Sequence, residues 1–245
     1  MTGMDGAILV PAHSTNIITS RRNVPKVNVY HTPEEPADDI EVTPGYFQRP
    51  NLGASTHYYD DSDGDLYQMV DEDDGALANG VLGRPYPADT DPSYSLNYQS
   101  RSIEMEGYAA TIHLTCWRGS PQWLTAVRFC LAGHLMHGIP IDRAHNIGHY
   151  EVSVERSDPG LLDLDAIVED ARRMLEDDMT EDERELLRLT AKTFVLDTAE
   201  LSFYTEDEQT ALMLDRLRRY HAAVPTSLSG RLSNLEARLD NASDV

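Results

Sequence analysis

Cysteine is nearly absent: Cys116 and Cys130 are the only two in 245 residues. Two thiols cannot build a disulfide framework or a four-cysteine zinc site. Both are expected as buried free thiols, because an unpaired cysteine packs as a small hydrophobe. Lysine is just as scarce, represented by Lys26 and Lys192 alone, so arginine supplies nearly all the positive charge. The 20 basic residues against 42 acidic ones leave a formal net charge of −22. That balance argues against nucleic acid as a partner, since phosphates require a basic patch. It argues equally against charge-driven adhesion to anionic membranes or wall polymers. No apolar run approaches the ~20 residues of a membrane-spanning helix, so no membrane insertion is expected. The opening sixteen residues place no basic side chain before their short apolar stretch, and a cleaved signal peptide is not expected.

The chain does have an ordinary globular composition, 40% hydrophobic and 25% charged. Its length suits one good-sized domain with a smaller appendage, or two small domains. Residues 1–25 read as an irregular N-terminal segment. Val27 to His31 alternates apolar and polar as a strand does and ends on a histidine. Residues 32–54, rich in Pro, Glu and Asp, read as a long loop, and loops of that length in compact domains are usually functional or disordered. Asp63-Gly64, between Thr56–Tyr59 and Leu66–Val70, is a hairpin signal. Ser102 to Glu106 reads as a strand with Ile103 and Met105 on one face and Glu104 and Glu106 on the other.

A helix then opens with Ser120 as N-cap and Pro121 at its first position, and Gly138 ends it before Pro140. Its apolar stripe is expected at Trp123, Leu124, Val127, Leu131 and Leu135. Residues 143–149 read as one more short strand. Beyond Gly160 the pattern turns to acidic amphipathic helix, with Leu164, Ile167, Val168, Ala171, Met174 and Leu175 at helical spacing. Two later helices each open with a capping box, Thr180 with Glu183 and Thr205 with Glu208. In the tail, Leu228, Leu232, Leu235 and Leu239 form a short heptad seam that could pair with a second copy of the chain.

A zinc hydrolase needs three protein ligands from His, Asp, Glu or Cys and an open fourth position. Here His31 and His149 stand at strand ends, and Asp158 lies in the Asp158-Pro159-Gly160 turn. Taken one by one these residues single out nothing; the order of motifs around them does. Val29-Tyr30-His31-Thr32, then Ser55-Thr56-His57-Tyr58 with Asp63-Gly64 and Leu66 to Val70, come first. Asn97 with Ser102 to Gly107, then His137-Gly138-Ile139-Pro140 with Ile147-Gly148-His149, and lastly Arg156-Ser157-Asp158-Pro159-Gly160 follow. In that order they resemble the zinc-dependent N-acetylmuramoyl-L-alanine amidase family, which includes phage endolysins, anhydromuropeptide amidases and peptidoglycan recognition proteins.

The resemblance covers residues 26–165 and implies an α/β catalytic domain, a mixed central β-sheet flanked by helices with zinc at the strand ends. Residues 166–245 would then be an acidic, all-α C-terminal region. It implies that His31, His149 and Asp158 hold one Zn2+, that Glu104 is the catalytic carboxylate, and that peptidoglycan is the substrate. Arg156 stands where many members carry a lysine that steadies the oxyanion, and arginine's planar head makes the swap non-neutral. The family's Trp-His-Ala-Gly segment stands here as Leu77-Ala78-Asn79-Gly80, leaving His57 and His145 as the nearby histidines that could line a groove. The expected absence of a signal peptide suits a phage endolysin, held in the host cytoplasm before release and acting on the bacterial cell wall, or a cytoplasmic amidase that recycles wall fragments; the appended region favours the endolysin. Two other classes stay open: a non-catalytic peptidoglycan receptor of the same fold, and a structural or assembly protein with a relic amidase domain.

Overall fold

The computed structural model describes residues 3, 4, 6–20, 24–35, 42–80 and 83–177. In chain order they form β1 (Ile8–Leu9), β2 (Ile17–Ile18), β3 (Val27–His31), α1 (Val42–Phe47), β4 (Tyr58–Asp60), β5 (Leu66–Gln68), β6 (Gly75–Ala76), β7 (Ser100–Met105), α2 (Pro121–His137), β8 (Asn146–Gly148) and α3 (Leu164–Asp177), with short 3-10 turns between. Six strands make one sheet in the order β1-β5-β4-β7-β3-β8, and β2 pairs with β6 in a small second sheet. Every neighbour in the large sheet is parallel except the β4–β5 hairpin, so the sheet is mixed.

β3 is the spine, flanked by β7 and β8, and all five of its residues are buried. Its polar member Asn28 is tolerated there because its amide donates to Asn146 Oδ1 at 2.7 Å and its oxygen accepts from Arg101 at 3.0 Å. The pleat sends Tyr30, Tyr58, Ile103 and Met105 to one face, where Trp123, Val127 and Phe129 of α2 cover them. Tyr59, Tyr67 and Met69 face the other way and pack with Phe47 of α1.

The ends of α2 lie where the sequence places them. Ser120 accepts from the Trp123 N–H at 3.2 Å, and Gly138 closes the helix in the left-handed region at φ 70°. The buried face keeps Trp123 and Val127 of the expected stripe but not its outer leucines. Leu124 and Leu135 are exposed, at 46% and 66%, while Gln122, Trp123, Ala126, Phe129, Cys130 and Gly133 are buried. The sheet beneath carries large side chains, including the buried Arg101, Tyr30 and Tyr58, so a helix seated on it needs small residues where leucines would collide. Both cysteines are free and buried, as expected.

Other differences are local. The stretch 1–25 supplies two short strands, one of which extends the large sheet beside β5. The strand expected over 143–149 is confined to Asn146–Gly148, because Asp142 caps the preceding turn by accepting from the His145 N–H at 3.0 Å. The long 32–54 loop contains the single helical turn α1. α3 lays Leu164, Ile167, Val168 and Ala171 into the same core as α2, and Met1–Leu175 form one compact unit. The capping boxes at Thr180 and Thr205 and the leucine seam at 228–239 lie outside the described residues. Among the described residues no helix is long and apolar enough to cross a membrane.

Candidate active site

Three parallel strands assemble the site. β7, β3 and β8 run the same way, so their carboxyl ends share one edge of the sheet, where open α/β sheets bind ligands. β3 ends on His31, whose partner in register on β7 is Glu104. Tyr30 pairs with Gly148 on β8, and His149 is the next residue. Because Tyr30 and Ile103 enter the core under α2, the pleat turns His31 and Glu104 to the opposite face.

Asp158 arrives from the turn that follows. Its carbonyl accepts from the Tyr150 N–H at 2.9 Å. Gly160 anchors the far side at φ 57°, where a β-carbon would stand 2.2 Å from the Ala109 carbonyl oxygen. No other residue fits that position. Glu34 braces the same loop, accepting from the Ala109 N–H and the Thr32 hydroxyl at 2.8 Å each.

The result is a compact donor set. His31 Nδ1 lies 3.1 Å from His149 Nδ1 and 3.4 Å from Asp158 Oδ2, and His149 Nδ1 lies 3.1 Å from the same oxygen. All three residues are buried and form the one potential metal-holding cluster of His, Cys, Asp or Glu found among the described residues. His149 Nε2 donates to the Asn79 carbonyl at 3.1 Å, which leaves Nδ1 as a lone pair. That lone pair faces a carboxylate oxygen, a repulsive contact that a cation between them would make favourable. Donors bound tetrahedrally at ~2.0–2.1 Å stand ~3.3 Å apart, so two imidazoles and one carboxylate at this spacing fit zinc.

The electrostatics agree. Burial, opposed by the Asp158 hydrogen bond and reinforced by His149, lowers His31 to about 4, so its ring is neutral at physiological pH. Burial alone would raise Asp158, but the adjoining His149 and His31 imidazoles hold it well below the usual carboxylate range. Glu104 behaves oppositely: burial, then the Asp158 and Glu35 carboxylates, push it well above that range while Arg156 pulls it down. Its Oε2 has neither solvent nor a hydrogen-bond partner.

Glu104, Arg156 and the donor triad all line one groove of about 800 Å³. The structure thus gathers all five residues singled out in the sequence. It does not bring His57 or His145 to the groove. His57 accepts from the Ser102 N–H at 3.1 Å through Nδ1 and reaches the Asp74 carbonyl at 3.2 Å through Nε2, a satisfied core histidine. His145 is held between Asp142 at 2.7 Å and Asp89 at 3.1 Å. Sequence reasoning missed the opposite wall, formed by Tyr46, Phe47 and Arg49 in and after α1. Its only signal was the length of the 32–54 loop. The carbonyl of Asn79 was also missed, since a backbone acceptor leaves no mark on residue type.

The fold and this donor set define an α/β domain with a potential metal-holding site at the strand ends of a mixed sheet. Residues 20–161, more than half of the chain, match the model of the N-acetylmuramoyl-L-alanine amidase family, and the chain belongs to that family. Among solved structures it is similar to a selenomethionine AmpD derivative, with 20% identity, TM-score 0.48, and coverage of 69% of this chain and 96% of that one. The catalytic domain of XlyA gives 17% identity, TM-score 0.49, and 67% and 98% coverage. The amidase LysC from Clostridium intestinale URNW gives 16%, 0.45, and 71% and 99%. No curated protein matches the chain.

Proposed function

We propose that this chain is a zinc-dependent N-acetylmuramoyl-L-alanine amidase of the endolysin kind, hydrolysing the amide that joins the muramic acid lactyl group to L-alanine in peptidoglycan. The observation that carries the reading is the buried triangle of His31, His149 and Asp158, beside a carboxyl whose Oε2 has no partner. Those three residues would hold the metal. Bound there, zinc would supply Lewis acidity toward the scissile carbonyl and acidify a water.

The protein's own groups would do the rest. Glu104 takes the proton of the attacking water and delivers it to the departing alanine nitrogen. Its raised pKa suits that exchange, since a carboxyl poised nearer neutrality both accepts and returns a proton. Arg156, on the same groove, presents N–H donors to the oxygen that becomes anionic as the carbonyl is attacked. The groove wall opposite, around α1, would hold the rest of the muropeptide. Residues 26–165 carry the proposed catalytic site, α3 completes that domain's core, and the chain beyond α3 would be an appended module serving wall targeting after release from the host cell.

The mass of fragments released from purified peptidoglycan tests this. Amidase action should liberate stem peptides with free alanine amino groups and leave glycan strands uncut, with activity abolished by chelation and restored by zinc. Zinc binding without release would make the chain a receptor, and a zinc-free oligomer would make it a structural protein.

A further inference from the structure

The hydrogen bond that orients His149 comes from a segment that is itself clamped from below. The Asn79 backbone N–H and side-chain Nδ2 both donate to Asn97 Oδ1, at 2.9 and 3.0 Å, and Nδ2 also donates to Ser100 Oγ at 2.8 Å. All three are buried, Asn79 and Ser100 at 1% exposure and Asn97 at 8%. One amide oxygen thus receives both donors of one residue, which fixes the peptide plane as well as the side chain. Two neighbours tighten the fit. Leu77 N–H donates to Ser55 Oγ at 2.9 Å. A β-carbon on Gly75 would stand 2.9 Å from the Asn97 carbonyl oxygen, so the strand lies flush on Asn97.

The consequence reaches the donor triad. With Asn79 so held, its carbonyl points at His149 Nε2. The ring must then carry its proton on Nε2 and present Nδ1 to His31 and Asp158. Asn79 also keeps a buried Oδ1 with no partner. Such an orphan acceptor costs stability, so a residue chosen for stability alone would not be an asparagine.

We propose that Asn97, through Asn79, is a positioning device for the metal ligand His149: it aims a backbone carbonyl that selects the tautomer and ring angle of the imidazole. The inference rests on the metal-site reading above, but its first readout does not need a metal.

The test compares Asn97→Leu, which removes the acceptor, with Asn97→Asp, which keeps it. In the metal-free protein, nitrogen NMR of the imidazoles should show His149 as the Nε2–H tautomer in the parent and in Asn97→Asp. In Asn97→Leu it should become a mixture. Zinc competition against a chelator should show affinity reduced ~10–100-fold in Asn97→Leu, as for other groups that orient a ligand from behind, and largely rescued in Asn97→Asp. Should Asn97→Leu fail to fold, Asn79→Ala carries the test. It deletes the Nδ2 bonds along with the orphan oxygen, and should also mix the tautomers and weaken zinc. An unchanged tautomer and unchanged affinity in the variants would overturn the proposal. If the parent itself bound no zinc, the metal reading would fall while the tautomer result still decided the clamp.

Discussion

His31 and His149 meet through their Nδ1 atoms at 3.1 Å, with ring centroids 4.4 Å apart and planes inclined at 61°. The inclined rings direct both nitrogens, and Asp158 Oδ2, at one small volume. His31 ends β3 and His149 follows directly on β8, its neighbour in the sheet, so the pairing is a direct result of the β3–β8 register.

Zinc should therefore stabilise the fold. A ligand held only by the native state adds RT ln(1 + [L]/Kd), ~2.7 kcal/mol at a hundredfold excess over Kd. Calorimetry should show the melting temperature rising with zinc and falling with a chelator, and His149→Ala should abolish the response. A parent protein indifferent to zinc would count against the metal centre.

Glu104→Gln keeps the size and polarity of the side chain but removes the proton carrier. Turnover should fall by roughly 10²–10⁴-fold with zinc content unchanged. Arg156→Lys retains a cation at the oxyanion position and should stay active, whereas Arg156→Ala should lose ~10²–10³-fold. Kinetics on a soluble muropeptide, with metal content measured in parallel, decide both. A fully active Glu104→Gln enzyme would assign the base to another group.

Much of this site was legible because its residues sit at element ends. A strand that stops on His31, a strand whose Glu104 alternates away from Ile103, and a Gly160 turn all leave local patterns. The limits of α2 were legible for the same reason, since Ser120 and Gly138 do chemistry at known positions. The face of α2 was not. Periodicity ranks leucines as core, yet here a buried arginine and tyrosines on the sheet leave space for Ala126, Cys130 and Gly133 instead. Partner choices such as Asn97 with Asn79 depend on folding across 18 residues, which no local pattern reports.

α3 is part of the catalytic unit's core, as Ile167 at 0% exposure and its neighbours Val168 and Ala171 indicate. Ile167→Ala should cost about 2–5 kcal/mol, the range for emptying a buried aliphatic site. Urea unfolding measures it, with the amidase activity and the denaturation midpoint expected to fall together on warming. A change under about 0.5 kcal/mol, the level typical of surface positions, would mean that α3 is only loosely attached.

The final prediction concerns Glu72, which is paired with Arg101 at 2.7 Å deep beneath α2, with both side chains almost wholly buried. Tyr58 and His137 also bond its carboxylate, at 2.7 and 3.0 Å. Burial alone would raise the Glu72 pKa, but the Arg101 charge and the His137 and Arg101 hydrogen bonds carry it well below the ordinary value. A carboxyl whose folded pKa is depressed adds stability above its unfolded pKa, ~4.3. That contribution disappears as pH falls through the folded pKa, because the unfolded state takes up the proton first. Stability should therefore drop steadily below about pH 4.3. Glu72→Gln should remove this part of the acid dependence. At pH 7 it should also cost roughly 3–5 kcal/mol, since Arg101 would remain buried without a countercharge. Urea titrations from pH 7 down to the acid range measure both effects. Parent and variant curves that ran parallel through the acid limb would show that Glu72 is not the group being titrated.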